Sequence, residues 1–277
     1  HGARQEKAGL RLGVAGAVIL GALAACCIAV VALCTVWLQD LPDYNDASAY
    51  NYAEKTKVYA NDGTTLLAEF YLENRDPIDL DEMGTCVTKG TVATEDERFY
   101  QHNGIDVLGI ARAVWVNVTH TGHEGASTIT QQFVRNTILA DEATESTLKR
   151  KVREAYIAIK LEESYSKDEI LQMYLNTINY GQGAYGIQAA AQRYYSKNAK
   201  DLTIAQAATL IGIPQSPTYN NPIDNPENCK NRRNLVLDRM LTNGVITQEE
   251  HDAAQAEDLN LNVSEVSTGD GMYKYKY

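Results

Sequence analysis

Between Leu12 and Leu38 the chain runs for 27 residues without a charged side chain. As a helix rising about 1.5 Å per residue, this stretch reaches about 40 Å, more than the ~30 Å hydrocarbon core of a bilayer, so it can span one with tilt. A cleaved signal peptide has an apolar region of only about 7 to 15 residues and ends in an Ala-x-Ala pattern. The flank after Leu38 lacks that pattern. The expectation is a retained anchor, one transmembrane helix over residues 12–38. Arg4, Lys7 and Arg11 precede it, and Asp40, Asp43 and Asp46 follow it. The positive-inside rule then makes residues 1–11 a cytoplasmic tail and puts the remainder outside the cell membrane.

Beyond the span the chain reads as water-soluble protein. Mean hydropathy over the whole chain is only −0.33 despite the apolar run, and 44% of residues are hydrophobic. That excludes a multispan membrane protein and a largely disordered one. The net charge is −11, and residues 1–38 hold three bases against Glu6, so the outer part carries −13. Such a charge argues against any general affinity for nucleic acid or anionic lipid, and an anionic ligand must meet a local cluster of bases. Of five cysteines, Cys26, Cys27 and Cys34 lie in the span. Cys86 and Cys229 alone make no disulfide framework; they read as two buried small hydrophobes or, as the alternative, as a single pair. The chain starts at His1 and stops in an alternating Met-Tyr-Lys-Tyr-Lys-Tyr run, as a fragment of something longer would.

Residues 39–74 read as a linker and a β-hairpin, Val58 to Tyr71, turned at Asn61-Asp62-Gly63. Beyond it the signals are helical. Asp106 can cap a helix through Trp115, and Thr128 with Gln131, Ser166 with Glu169, Thr203 with Gln206 and Thr247 with Glu250 have capping-box spacing. Asn225-Pro226 opens another helix, which Asn243-Gly244 closes. The main domain, 75–256, is thus mainly α, with 257–277 a linker toward a further domain. The polar run from Asn117 to Gly125 suits a mobile lid or jaw. Within it His120, His123 and Glu124, with no second ligand cluster nearby, do not make a zinc site. Asn117 and Asn262 begin Asn-x-Ser/Thr sequons.

Three blocks hold chemistry-bearing residues. Glu95-Asp96-Glu97-Arg98-Phe99-Tyr100-Gln101-His102-Asn103-Gly104 gathers acids, an aromatic ring and a histidine ahead of a glycine. Each type alone has a bland reading, such as a solvated helix face or a structural histidine. Gly125 to Asn136 leads small residues and hydroxyls into a helix N-terminus, which favours an anion, and Thr128, Gln132 and Arg135 share a face. In the helix from Thr147, Leu148, Val152, Ala155, Tyr156 and Ile159 form an apolar stripe. Glu154 is off that stripe, one turn from Arg150 and Lys151, either partly buried beside them or in an ordinary surface ion pair.

In order, the chain reads Glu-Asp-x-x-Phe-x-x-His-x-Gly, Gly-x-Ser-Thr-x-Thr-Gln-Gln-x-x-Arg-Asn, Arg-Lys-x-x-Glu, and Ile170-Leu171-Gln172-Met173-Tyr174-Leu175-Asn176 with Gly181 and Tyr185-Gly186 after it. Over roughly residues 75 to 255 this resembles the peptidoglycan glycosyltransferases of family 51, found in class A penicillin-binding proteins and monofunctional transglycosylases. The resemblance implies a lysozyme-like, two-lobed, mainly α fold with its cleft at the membrane face. It implies polymerisation of lipid II with inversion and release of undecaprenyl pyrophosphate. By the same resemblance Glu95 is the general base and Glu154 the second catalytic glutamate, near the donor pyrophosphate. Asp96, Phe99, His102, Ser127, Thr128, Gln132, Arg135, Arg150, Lys151 and Asn176 match positions lining the cleft. Implied partners are lipid II, the growing glycan chain, the bilayer and other cell-wall synthesis proteins. No metal ligand set is implied, although a divalent cation, Mg or Mn, could assist at the pyrophosphate. Arg135 stands where many members have Lys, and Tyr194-Tyr195-Ser196-Lys197 departs from the usual Tyr-Phe-Gly-Lys.

The chemistry is consistent on its own terms. A pyrophosphate leaving group needs positive charge, and a cation at about 4 Å gains on the order of 4 kcal/mol at an effective dielectric of 20. Arg135, Arg150 and Lys151 could supply it. A lytic enzyme on the same glycan would need a general acid but no such cluster. A noncatalytic membrane-anchored scaffold would need neither glutamate. Ser146 to Lys149 and Ser164 to Lys167 both spell Ser-x-x-Lys, yet no Lys-Thr-Gly comes after them, so neither marks a transpeptidase.

Overall fold

The chain folds as helices laid around one large apolar core and a smaller one beside it. The computed structural model describes residues 2–44, 56–70, 74–119, 125 and 127–264. Helix α1 covers Gly2–Trp37, and the window Leu20–Trp37 has a mean hydropathy of 2.4 with none of it buried. It is long and apolar enough to cross a membrane. The expected cytoplasmic tail continues the same helix back to Gly2, since residues 2–37 contain no proline to stop it.

Strands β1 (Thr56–Tyr59) and β2 (Leu66–Phe70) form the expected antiparallel hairpin. Asp62 closes its turn by accepting from the Thr65 hydroxyl and from the backbone N–H groups of Thr65 and Thr64, which lowers its carboxyl to about 2. A second pairing escapes sequence reasoning: β3 (Asn74–Arg75) runs parallel to β4 (Ala184–Tyr185). Two-residue strands carry no periodic signal.

Helices α2 (Thr85–Glu95), α3 (Val107–Val118), α4 (Ile129–Asn136), α5 (Leu148–Ser164), α6 (Lys167–Thr177), α7 (Ile187–Tyr195), α8 (Ile204–Gly212), α9 (Pro226–Thr242) and α10 (Gln248–Ala256) make the domain mainly α. All four expected capping boxes open their helices, at Thr128, Ser166, Thr203 and Thr247. Asp106 caps α3 by accepting from Gly109 N–H, and the helix runs on to Val118. Asn225 opens α9 but caps nothing; its side chain donates to the Thr218 carbonyl.

The larger core gathers Phe99, Ile129, Phe133, Ile157, Leu161, Leu171 and Tyr174 among others, while Ala208, Val236, Leu237 and Met240 anchor the smaller one under α8–α10. Cys229 is buried and Cys86 half-buried, both as free thiols, and burial pushes the Cys229 thiol up to about 12. The residues from His120 to Glu124 and the run from Met272 to Tyr277 lie outside the described residues.

Helix α5 overturns the expected stripe. Leu148 is 76% exposed and Val152, Ala155, Tyr156 and Ile159 are only half-buried, whereas Arg150, Arg153, Glu154, Ile157, Ala158 and Leu161 are buried. Apolar periodicity cannot foresee that a charged face is buried once its charges are paired within the fold.

Candidate active site

The end of α2 delivers the first group. Glu95 is the last residue of that helix, and its carboxylate accepts from the Gln132 side-chain amide at 2.9 Å. Gln132 in turn accepts from the Tyr174 hydroxyl at 3.0 Å, and burial raises the pKa of that phenol well above the ordinary value, keeping it a neutral donor. Arg232 of α9 reaches the other Glu95 oxygen at 3.5 Å. The Glu95 side chain remains 15% exposed, so it keeps an opening to solvent.

Asp96, the next residue, turns inward. It is buried, accepts from the Ile129 N–H at the head of α4 at 3.1 Å, and holds His102 Nε2 at 3.0 Å. The carboxylate therefore sits where the free N–H groups and dipole of a helix N-terminus favour negative charge. Phe99 belongs to the core, with the Lys167 ammonium 4.4 Å over its ring. Thr128, besides capping α4, donates to the Gly104 carbonyl at 2.7 Å. Gly104 itself has φ +78°, and a Cβ there would stand 2.6 Å from the Ile159 nitrogen, so the loop presses directly on the α5 backbone.

Glu154 is the second group, with no exposure at all. Arg150, itself buried, binds one of its oxygens, and Lys151 Nζ binds the other at 2.9 Å. Lys151 also donates to Ser127 Oγ at 2.9 Å, and it is 40% exposed. The surface ion pair is thus excluded: the pair is internal and compensated on both oxygens. No cluster of three or more His, Cys, Asp or Glu that could hold a metal occurs among the described residues. A divalent cation does not fit Glu154 as it stands, because both carboxylate oxygens already serve cationic side chains.

Helix α4 and the residue pair before it join the two glutamates. Ser127 meets Lys151 beside Glu154, the α4 N-terminus meets Asp96, and Gln132 meets Glu95. Arg135, in the last turn of α4, is half-buried, has no hydrogen-bond or ion-pair partner among the described residues, and lies near enough to lower the Tyr174 pKa electrostatically. Asn176 stands apart from this group. Its side chain clasps Ile78 N–H and C=O at 3.1 and 2.9 Å, fixing the segment that leads into α2. Sequence reasoning does not single out Arg232 and Tyr174 as individual site residues. The available signal for Arg232 is a double arginine inside an apolar-faced helix of an acidic domain.

The domain is mainly helical and follows one long apolar helix, and two glutamates bracket one short helix, with cations gathered at one of them. Comparison with known proteins gives the family. The Transglycosylase family model matches residues 62–241, and the chain belongs to that family. Among curated relatives, penicillin-binding protein 1A of Vibrio cholerae is 44% identical over 79% of this chain and 26% of its own length. That of Escherichia coli is 40% identical over 87% and 28%, and penicillin-binding protein 1F of Bacillus subtilis 43% over 73% and 28%. The chain therefore spans about a quarter of the length of these relatives. The crystal structure of penicillin-binding protein 1A from Haemophilus influenzae is similar at a TM-score of 0.46, with 24% identity over 78% of this chain and 22% of that one.

Proposed function

We propose that the chain is a peptidoglycan glycosyltransferase that polymerises lipid II into β-1,4-linked glycan and releases undecaprenyl pyrophosphate with inversion. The observation that carries the reading is the bracketing of α4: a partly open carboxylate at Glu95 on one side, and the cation-bound Glu154 on the other. Glu95 takes the proton of the acceptor 4-hydroxyl, and that oxygen attacks the donor anomeric carbon opposite the pyrophosphate. The bond from that carbon to the phosphate oxygen breaks, and the leaving group carries the electron pair away. Arg135, Arg150 and Lys151 face the negative charge that grows there, and Glu154 holds two of these cations in place. Ser127, whose hydroxyl oxygen accepts from Lys151, keeps its own proton to donate beside them. No step is routed through a metal ion.

A lipid-linked substrate stays at the bilayer, and two features suit that location. Helix α1 supplies a single-pass anchor in the cell membrane, with the charge pattern favouring a cytoplasmic N-terminus and an extracytoplasmic domain. Helix α3 exposes Val107, Leu108, Val114, Trp115 and Val118 along one apolar face, the kind of patch that seeks a membrane. The test is to supply the purified chain with labelled lipid II and look for lysozyme-sensitive polymer. Folded protein that makes none overturns the reading, and shortening of preformed glycan strands would instead favour a lytic enzyme.

A further inference from the structure

Arg153 is buried one residue before Glu154, yet it serves neither glutamate. Its two terminal nitrogens donate to the main-chain carbonyls of Trp37 at 3.0 Å and Asp40 at 2.9 Å, and it pairs with Glu142 at 2.9 Å. Trp37 is the last residue of α1, so the guanidinium closes the carbonyl end of the membrane span, where a helix leaves acceptors unmet and favours a cation. The same side of α5 continues the contact. Tyr156, three residues on, meets Tyr44 edge-on with ring centroids 6.2 Å apart, and Leu41 packs on the larger core. Glu142 lies in the turn after α4, so one arginine joins the end of the span, the helix of Glu154 and the exit of the helix that brackets both glutamates.

We infer that Arg153 is a positioning residue that docks the membrane-proximal end of α1 rigidly onto α5, so that the span acts as a strut setting the height and tilt of the cleft over the bilayer. This rests on the proposed reaction at a lipid-linked donor. A loose tether would leave the domain free to lift and turn, and the cations around Glu154 would meet the donor pyrophosphate only part of the time. A planar fork suits the task, because it grips two carbonyls at once where a point charge grips one.

The experiment compares polymerisation of labelled lipid II by the full chain in detergent micelles and in lipid vesicles. Arg153→Ala and Glu142→Gln should stay within about twofold of wild type in detergent. In vesicles Arg153→Ala should lose at least about tenfold, chiefly as a raised apparent KM, with Arg153→Lys recovering part. A flexible Gly/Ser insertion of about eight residues between Asp46 and Ala47, beyond the docked segment, should be silent in vesicles. Equal losses in detergent and vesicles for Arg153→Lys and Glu142→Gln would make Arg153 merely structural and overturn the inference. So would a vesicle loss from the insertion as large as that from Arg153→Ala, which is what a length-governed tether predicts. Where Arg153→Ala does not fold, Arg153→Lys and the insertion decide. Failure of wild type in detergent would instead strike the proposed reaction itself.

Discussion

Burial distinguishes the two glutamates, in keeping with the separate tasks proposed for them. Glu95 keeps an opening to solvent and is held by a neutral amide and a guanidinium at 3.5 Å, so a hydroxyl can approach it. Glu95→Gln keeps the shape and removes the proposed base, and polymerisation should fall by at least ~10²-fold; a folded variant making near-normal polymer would refute the assignment. Glu154 has no such opening, and its carboxylate holds two cations, the role proposed for it. Arg150→Ala should therefore lower turnover by about 10²- to 10³-fold, with Arg150→Lys restoring only part, because a point charge does not grip two phosphate oxygens as a fork does. Had Arg150 been a surface partner, the change would cost a few tenths of a kcal/mol and leave turnover within about twofold, and steady-state kinetics distinguish the two.

Elements show what a sequence can and cannot disclose. The capping boxes at Thr128, Ser166, Thr203 and Thr247 are legible because donor and acceptor lie three residues apart and need no tertiary partner. The buried face of α5 is legible only in part: Arg150 and Lys151 stand one turn from Glu154 in the sequence itself, whereas the partners of Arg153, Glu142 and the end of α1, come from elsewhere in the fold. Arg233 repeats the device, fully buried and donating to the carbonyls of Gln255 and Glu257 at the end of α10. Gly104 is visible in the sequence only as a motif glycine; its contact with the α5 backbone emerges from the fold. Gly104→Ala, combining a positive φ with a 2.6 Å approach, should destabilise the domain by about 1 to 3 kcal/mol or more in thermal unfolding. Between α9 and α10, His251 is bound by Asp238 at 2.8 Å and Asp252 at 2.9 Å, which raises its pKa above the ordinary value. The raised value means that this contribution is complete below about pH 6.5 and disappears as pH climbs through the folded pKa. Unfolding temperatures from about pH 6 to about pH 9 should fall more for wild type than for His251→Gln, and identical slopes would remove the contribution.

At the scale of the whole molecule, an acidic domain has two exposed apolar surfaces, helix α1 and one face of α3. The C-terminal end of α1 is gripped beside Glu154, and the exposed face of α3 adds a second apolar surface to a domain whose net charge of −13 would otherwise keep it off an anionic bilayer. For the lipid-linked substrate proposed above, electrostatics would not recruit the domain, and burial of apolar surface would have to. Removing residues 1–40 deletes the larger of the two apolar elements and takes both carbonyl acceptors from Arg153. The truncated chain should still fold, because the two cores lie almost wholly after residue 77, and should polymerise lipid II in detergent with a modest loss. In vesicles the loss should be far larger, since only α3 would then bring the cleft to the surface. The ratio of vesicle to detergent activity measures this directly. A ratio equal to that of the full chain would mean that the α3 face alone suffices, and that the span contributes neither concentration nor orientation.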